Sequence, residues 1–212
     1  MSSLTRILVA VLCVSPCLGA AQSLTVNEAF LPGKYVPMSG HDRLQEWWKE
    51  DGGSLTIHVE AVSIAATAFT FDTPPEWGRN AGGFARMLGN GYGRAAIQNT
   101  TYDGMAAALR TDTRYFACGC KGFFPRVGHA LEMTFVTYNR NGNKTLDLAQ
   151  LSGAYGASMI GTLWYPPHYS PLVQGVQAGH IDVGVLGGLH VMQEFSPEIR
   201  RMFHMKAQES GH

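Results

Sequence analysis

The residues able to do chemistry are mostly histidines and carboxylates, and their spacing raises the question of a metal. His180 and Asp182 lie two apart, His190 and Glu194 four apart, and His129 and Glu132 three apart. An imidazole and a carboxylate one helical turn apart share a face and can ligate one ion. A metal, if held, would take His180, Asp182, His190 and Glu194. Di-iron bundles project Glu-x-x-His pairs inward from facing helices, whereas the one pair of that length here runs in reverse order. The competing reading is a histidine hydrogen-bonded to a nearby carboxylate, each satisfying the other in an apolar bundle. It demands fewer coincidences, so no metal and no other cofactor is expected.

Two further constellations carry possible chemistry. PMSGH at 37–41 resembles the Ser-Gly-His of membrane-bound acid phosphatases, in which one histidine attacks phosphorus, another protonates the leaving group, and Lys and Arg clamp the oxygens. The lysine, the Arg-Pro pair and the later His and Asp of that constellation are missing here. ACGC places Cys118 and Cys120 two apart. In an oxidising compartment they could pair with each other, pair with a partner, or stay free. No C-x-x-C accompanies them, and two cysteines alone do not close a zinc site.

FARMLGNGYGRAAIQ, residues 84–98, sets Gly89, Gly91 and Gly93 at alternate positions. A phosphate cradle needs its glycines in a loop between a strand and a helix N-terminus. Here Phe84, Leu88, Tyr92, Ala95, Tyr102, Met105 and Leu109 recur every three to four residues, which predicts a helix running through the glycines. A mid-helix glycine costs about 1 kcal/mol relative to alanine, and close approach of a neighbouring helix is the usual compensation. The same pattern returns in 148–165, with Gly153, Gly156, Ala157 and Gly161 and no charged side chain. It returns again from Ser170, where Gly175 and Gly179 are four apart.

Around these lie the elements that would position them. Ser39 to Asp42 opens a helix with Leu44, Trp47 and Trp48 on one side, stopped by Gly52-Gly53. Residues 55–71 are long enough and apolar enough for a buried helix, and Asp72-Thr73-Pro74-Pro75 breaks the chain. RVGHALEMTFVTY is read as a helix ending near Tyr138. NRNGNK after it could equally close a β-hairpin, since Thr134 to Tyr138 suits a strand. The expected fold is all-α, a bundle of about five Gly/Ala-rich, tightly packed helices.

Composition narrows the setting. Sixteen basic residues balance sixteen acidic ones, so no long-range field steers the chain to nucleic acid. Charged residues make up only 15%, well under the roughly 25% of an ordinary soluble domain, which keeps a membrane in view. Arg6, then ILVAVLCVSPCLG, then Gly19-Ala20-Ala21 has the three parts of a secretory signal peptide. The division is a signal peptide at 1–21, an extended leader at 22–38, a helical domain at 39–203 and a disordered tail at 204–212. Trp164 and Tyr165 at the end of 148–165 would suit a lipid interface, while Glu60 and Asp182 would be costly in lipid.

TPPEWG at 73–78, DTRYF at 112–116, RVGHALEMTFVT at 126–137, WYP at 164–166 and QEFSPEIRR at 193–201 occur in this order. The series resembles a family of exported bacterial envelope proteins of acidobacteria and some proteobacteria, over about residues 38–203. The resemblance implies a mostly helical envelope protein and no particular activity. Two departures are Trp164, where tyrosine is usual, and the CGC at 118–120. Within these segments Asp112 and Arg114 read as structural, with Glu76, Glu194 or Glu198 as partners for Arg114, and Arg200 or Arg201 as partners for Glu194 and Glu198. PPEWG and EFSPEI read as corner pieces that lock helix ends, with Trp77 and Phe195 as apolar plugs. Glu76, Trp77, Asp112, Arg114, Tyr115, Glu194 and Phe195 are therefore the structural or interaction residues. The expected function is an exported cell-envelope protein, non-catalytic and structural or binding, whose partner is membrane lipid or an envelope protein and not nucleic acid. The alternative is a metal-dependent or phosphate-ester hydrolase built on the histidine and carboxylate pairs.

Overall fold

A computed structural model describes residues 35–51, 55–199 and 201. The signal peptide at 1–21, most of the leader and the tail at 204–212 lie outside them. Helix α1 is Gly40–Asp51, α2 Leu55–Phe71, α3 Ala81–Leu109, α4 Phe123–Glu132, α5 Leu148–Gly161 and α6 Val176–Glu194. A short hairpin, β1 Val136–Tyr138 and β2 Lys144–Leu146, joins α4 to α5. Among the described residues the fold is an all-α bundle with this one β insertion.

Local chemistry sets the helix ends. The Ser39 hydroxyl accepts the Asp42 N–H at 3.2 Å, and the Asp42 carboxylate accepts the Ser39 N–H at 2.9 Å. This reciprocal cap satisfies two donors at the start of α1. The serine of PMSGH is thus a helix cap. Asn80 caps α3 by accepting the Gly83 N–H, and Asp147 caps α5 by accepting that of Gln150. Arg110 closes α3 in a left-handed conformation at φ 56°.

The long helices stand in a row, α2 against α3, α3 against α5 and α5 against α6, with α4 on α6 and α1 on α3. Small residues line these contacts: Ala61, Ala65, Ala95, Ala106, Ala149, Ala154 and Ala157 are buried, and Met87 is the largest apolar side chain sealed completely. A Cβ on Gly91 would stand 2.3 Å from the Ala61 carbonyl oxygen of α2, so the helices approach too closely there for any other residue. Gly175 and Gly179 are likewise pressed against Met159 and Tyr155 of α5. The expected role of the small residues therefore holds at these positions. It does not hold at Gly89, whose Cβ would meet nothing, and Gly93 faces only the Trp164 ring at 3.6 Å.

The helix expected to reach Tyr138 ends at Glu132, and the strand takes its place. Asn139 accepts the N–H groups of Asn141 and Asn143 with its side chain, and Gly142 supplies φ 75°, which turns the chain. Val136 pairs with Leu146, Thr137 with Thr145 and Tyr138 with Lys144. The 111–112 segment then takes up β1: Asp112 donates its N–H to the Tyr138 carbonyl at 2.8 Å, and the Thr137 hydroxyl donates to the Asp112 carbonyl at 2.6 Å. Residues 133–135 turn out of α4, and these bonds exist only for an extended chain, so tertiary pairing decides the conformation of Val136–Tyr138.

Candidate functional site

DTRYF lies between the end of α3 and α4 and carries two buried carboxylate centres, one on each side. On the first, the Asp112 side chain is fully buried. It accepts the Tyr35 hydroxyl at 2.9 Å, the Arg114 main-chain N–H at 3.0 Å, and Arg114 Nε and NH2 at 2.9 and 2.6 Å. The paired guanidinium contact fixes both oxygens. Burial together with the Asp112 charge pushes the Tyr35 phenol far above its ordinary range. Arg114 is therefore committed to Asp112, two residues away, and not to Glu76, Glu194 or Glu198. Glu76 meets His168 at 3.1 Å on the surface.

On the second side, Glu194 at the end of α6 is buried. Its carboxylate accepts the Tyr115 hydroxyl at 2.6 Å and the Cys118 N–H at 3.2 Å, and it lies 3.3 Å from His129 Nδ1 and 3.7 Å from Arg126 Nε. Arg126 also donates to the Glu194 main-chain carbonyl, pairs with Glu198 at 2.6 Å, and covers the Phe195 ring at 4.1 Å. The acids of QEFSPEI are thus anchored by Arg126 of α4. The Trp77 ring stands edge-on to Tyr165, and the Phe195 ring lies against Phe123. Burial and the Glu194 contact hold the Tyr115 phenol protonated far beyond its usual range. His190 stacks on the Tyr115 ring at 4.8 Å and lies 3.3 Å from the Thr134 hydroxyl. Burial pushes its imidazole down to about 4. A cavity of about 20 Å³ lies among Tyr102, Asp112, Tyr115, Gln150 and His190, room for one water and no substrate.

The metal set His180, Asp182, His190 and Glu194 does not assemble. Residues two apart on a helix point in nearly opposite directions, and the twelve residues from 182 to 194 span about 18 Å. His180 is exposed and engages the Val176 carbonyl of its own helix at 2.8 Å. Asp182 instead faces α3 and α5, where Arg94 NH2 and the Ser158 hydroxyl reach its Oδ2, each at 2.6 Å. Arg94 also donates to Ser158 at 2.7 Å, so one triad ties three helices. The lone charges Arg94 and Asp182, each in an apolar helical stretch, were the signal for this pairing.

The group that does converge is Cys118, His129 and Glu194, each offering a ligand-type atom within 4.8 Å of the others. Cys118 is bonded to Cys120, so its sulfur is not free to ligate in this state. Arg126 and His129 escaped sequence reasoning as a pair. Three residues apart on α4, they present one face to Glu194, and their spacing was the available signal.

The molecule so defined is a helical protein whose buried polar centres knit chain segments together. Compared with protein-family models, curated proteins and solved structures, the chain matches none.

Proposed function

We propose that this chain is an exported protein of the bacterial envelope that works by association, binding membrane lipid or an envelope protein. The observation that carries the reading is the apolar character of the outer surface. Phe124 is 83% exposed, Leu163 and Leu172 are each 70% exposed, and Val173 is 62% exposed. The helices bury alanines and glycines at their contacts, which leaves many larger side chains facing outward. Extended apolar exposure marks surfaces that meet lipid or protein. Leu163, Trp164, Leu172 and Val173 all lie in the connection between α5 and α6, next to Tyr165 and Tyr169, a mix suited to the boundary between hydrocarbon and water. No helix among the described residues is long and apolar enough to cross a membrane, so the proposed attachment is peripheral. The carboxylates that a hydrolase would need are committed to Arg94, Arg114, Arg126 and the tyrosines, which disfavours the alternative.

The test is fractionation of cells followed by vesicle flotation. The protein is expected in the envelope fraction, released by alkaline carbonate, and bound to vesicles of envelope lipid. Leu163→Gln with Leu172→Gln should release it from those vesicles. Recovery of wild type as a free soluble protein, attached to neither vesicles nor an envelope protein, overturns the reading.

A further inference from the structure

The Cys118–Cys120 bridge is hard to explain as a staple. It joins residues two apart in sequence. The stability a disulfide adds by restricting the unfolded chain shrinks with the loop it closes, and this loop is about the smallest available. Its surroundings are those of a reacting pair. Cys120 is exposed and Cys118 is half-buried, so one sulfur is open to attack and the other is held against the interior. Gly119 and Gly122, at φ 61° and 96°, bend the chain outward around Cys120. The Cys120 N–H donates to Cys118 Sγ at 3.0 Å, a contact that strengthens when that sulfur becomes anionic. His129 and Glu194 lie within 4.8 Å of the same sulfur, and Arg126 supplies positive charge beside Glu194. Exposed disulfides are the exchangeable ones.

We propose that Cys118 and Cys120 form a thiol–disulfide exchange site that accepts two electrons from a dithiol of a partner protein. A partner thiolate attacks Cys120 Sγ. A new S–S bond forms, the Cys118–Cys120 bond breaks, and its electron pair leaves on Cys118, which then takes a proton from water. The partner's second thiolate then attacks its own sulfur in the mixed disulfide. Cys120 leaves as a thiolate and is protonated by water. The partner ends as a disulfide and this protein as a dithiol, and exchange with another disulfide reverses the sequence. His129, within 4.8 Å of that sulfur, is the side chain placed to relay this proton through one water, and Glu194 positions its ring. This activity goes beyond the associative function proposed above and does not depend on it.

Purified protein is equilibrated in reduced and oxidised glutathione, then acid-quenched and thiol-labelled. Both cysteines should titrate together and reversibly while the fold, followed by circular dichroism, persists. Cys118→Ser should trap glutathione on Cys120 after exposure to oxidised glutathione. His129→Gln should slow reduction by dithiothreitol about 10-fold and flatten its pH profile at a temperature where circular dichroism shows the variant folded. The Cys118→Ser/Cys120→Ser double variant should fold with wild-type circular dichroism. A bridge that resists millimolar glutathione until the protein unfolds, or a double variant that does not fold, overturns the proposal and makes the bridge structural. Reduced protein that binds one equivalent of Zn²⁺ and thereafter resists reoxidation overturns it in favour of a metal centre.

Discussion

Glu194 is sealed from solvent and meets Tyr115, the Cys118 N–H, His129 and Arg126 together. Removing a partner from such a buried charge costs more than the pair contributes by itself, since the charge left behind has no water. Glu194→Ala should therefore cost about 3–5 kcal/mol in urea unfolding, whereas Tyr115→Phe should cost about 1–2 kcal/mol. Asp182→Ala, which strands Arg94 between α3 and α5, should fall in the larger class. His190 gives a pH prediction. Its folded value of about 4 lies below the ordinary value near 6.5, so between these limits the unfolded chain holds a proton that the native one refuses. Stability is full above pH 6.5 and falls as the pH drops toward 4, by up to about 3 kcal/mol from this group. His190→Gln should flatten that part of the stability–pH curve.

Helix α3 separates two kinds of glycine that look alike in sequence. Gly91 sits where α2 presses its Ala61 carbonyl into the gap, and Gly89 looks onto open space. Gly91→Ala should cost about 2–4 kcal/mol or push α2 off its neighbour. Gly89→Ala should instead stabilise by about 0.5–1 kcal/mol, because only helix propensity changes. Thermal unfolding of the two variants decides the matter, and similar shifts for both would refute the packing account. The periodicity of 84–109 made the helix legible, and the cost of mid-helix glycine made packing legible. Which glycine bears the contact was not legible, because alternate positions on a helix face different neighbours and no single chain pattern names them. The β1–β2 hairpin was legible only as an alternative to a helix for a related reason: Thr134 to Tyr138 suits a strand, and pairing with β2 and with 111–112 decides it.

For the molecule as a whole, a row of helices joined through alanine and glycine carries a consequence for its surface. Close contacts consume little apolar volume, so Leu, Val and Phe side chains are left outside. The protein is expected to self-associate or adsorb in dilute buffer and to become monodisperse in mild detergent, as read by light scattering. Polar substitution at Phe124, exposed in the first turn of α4, should reduce association without lowering the melting temperature. The acids and arginines of this protein act across long sequence separations, Arg94 with Asp182 and Arg126 with Glu194, so they help hold the row of helices together.

The chain by itself determined the helical class, the helix limits around capping residues and prolines, and the need for close packing at some glycines, because each follows from local periodicity and backbone sterics. The tertiary structure alone decided which charges meet. Arg114 turned inward to Asp112, Asp182 turned to Arg94 in place of a metal, and Cys118 came beside His129 and Glu194. Such pairings depend on helix azimuth and on neighbours remote in sequence, and spacing along one chain fixes neither.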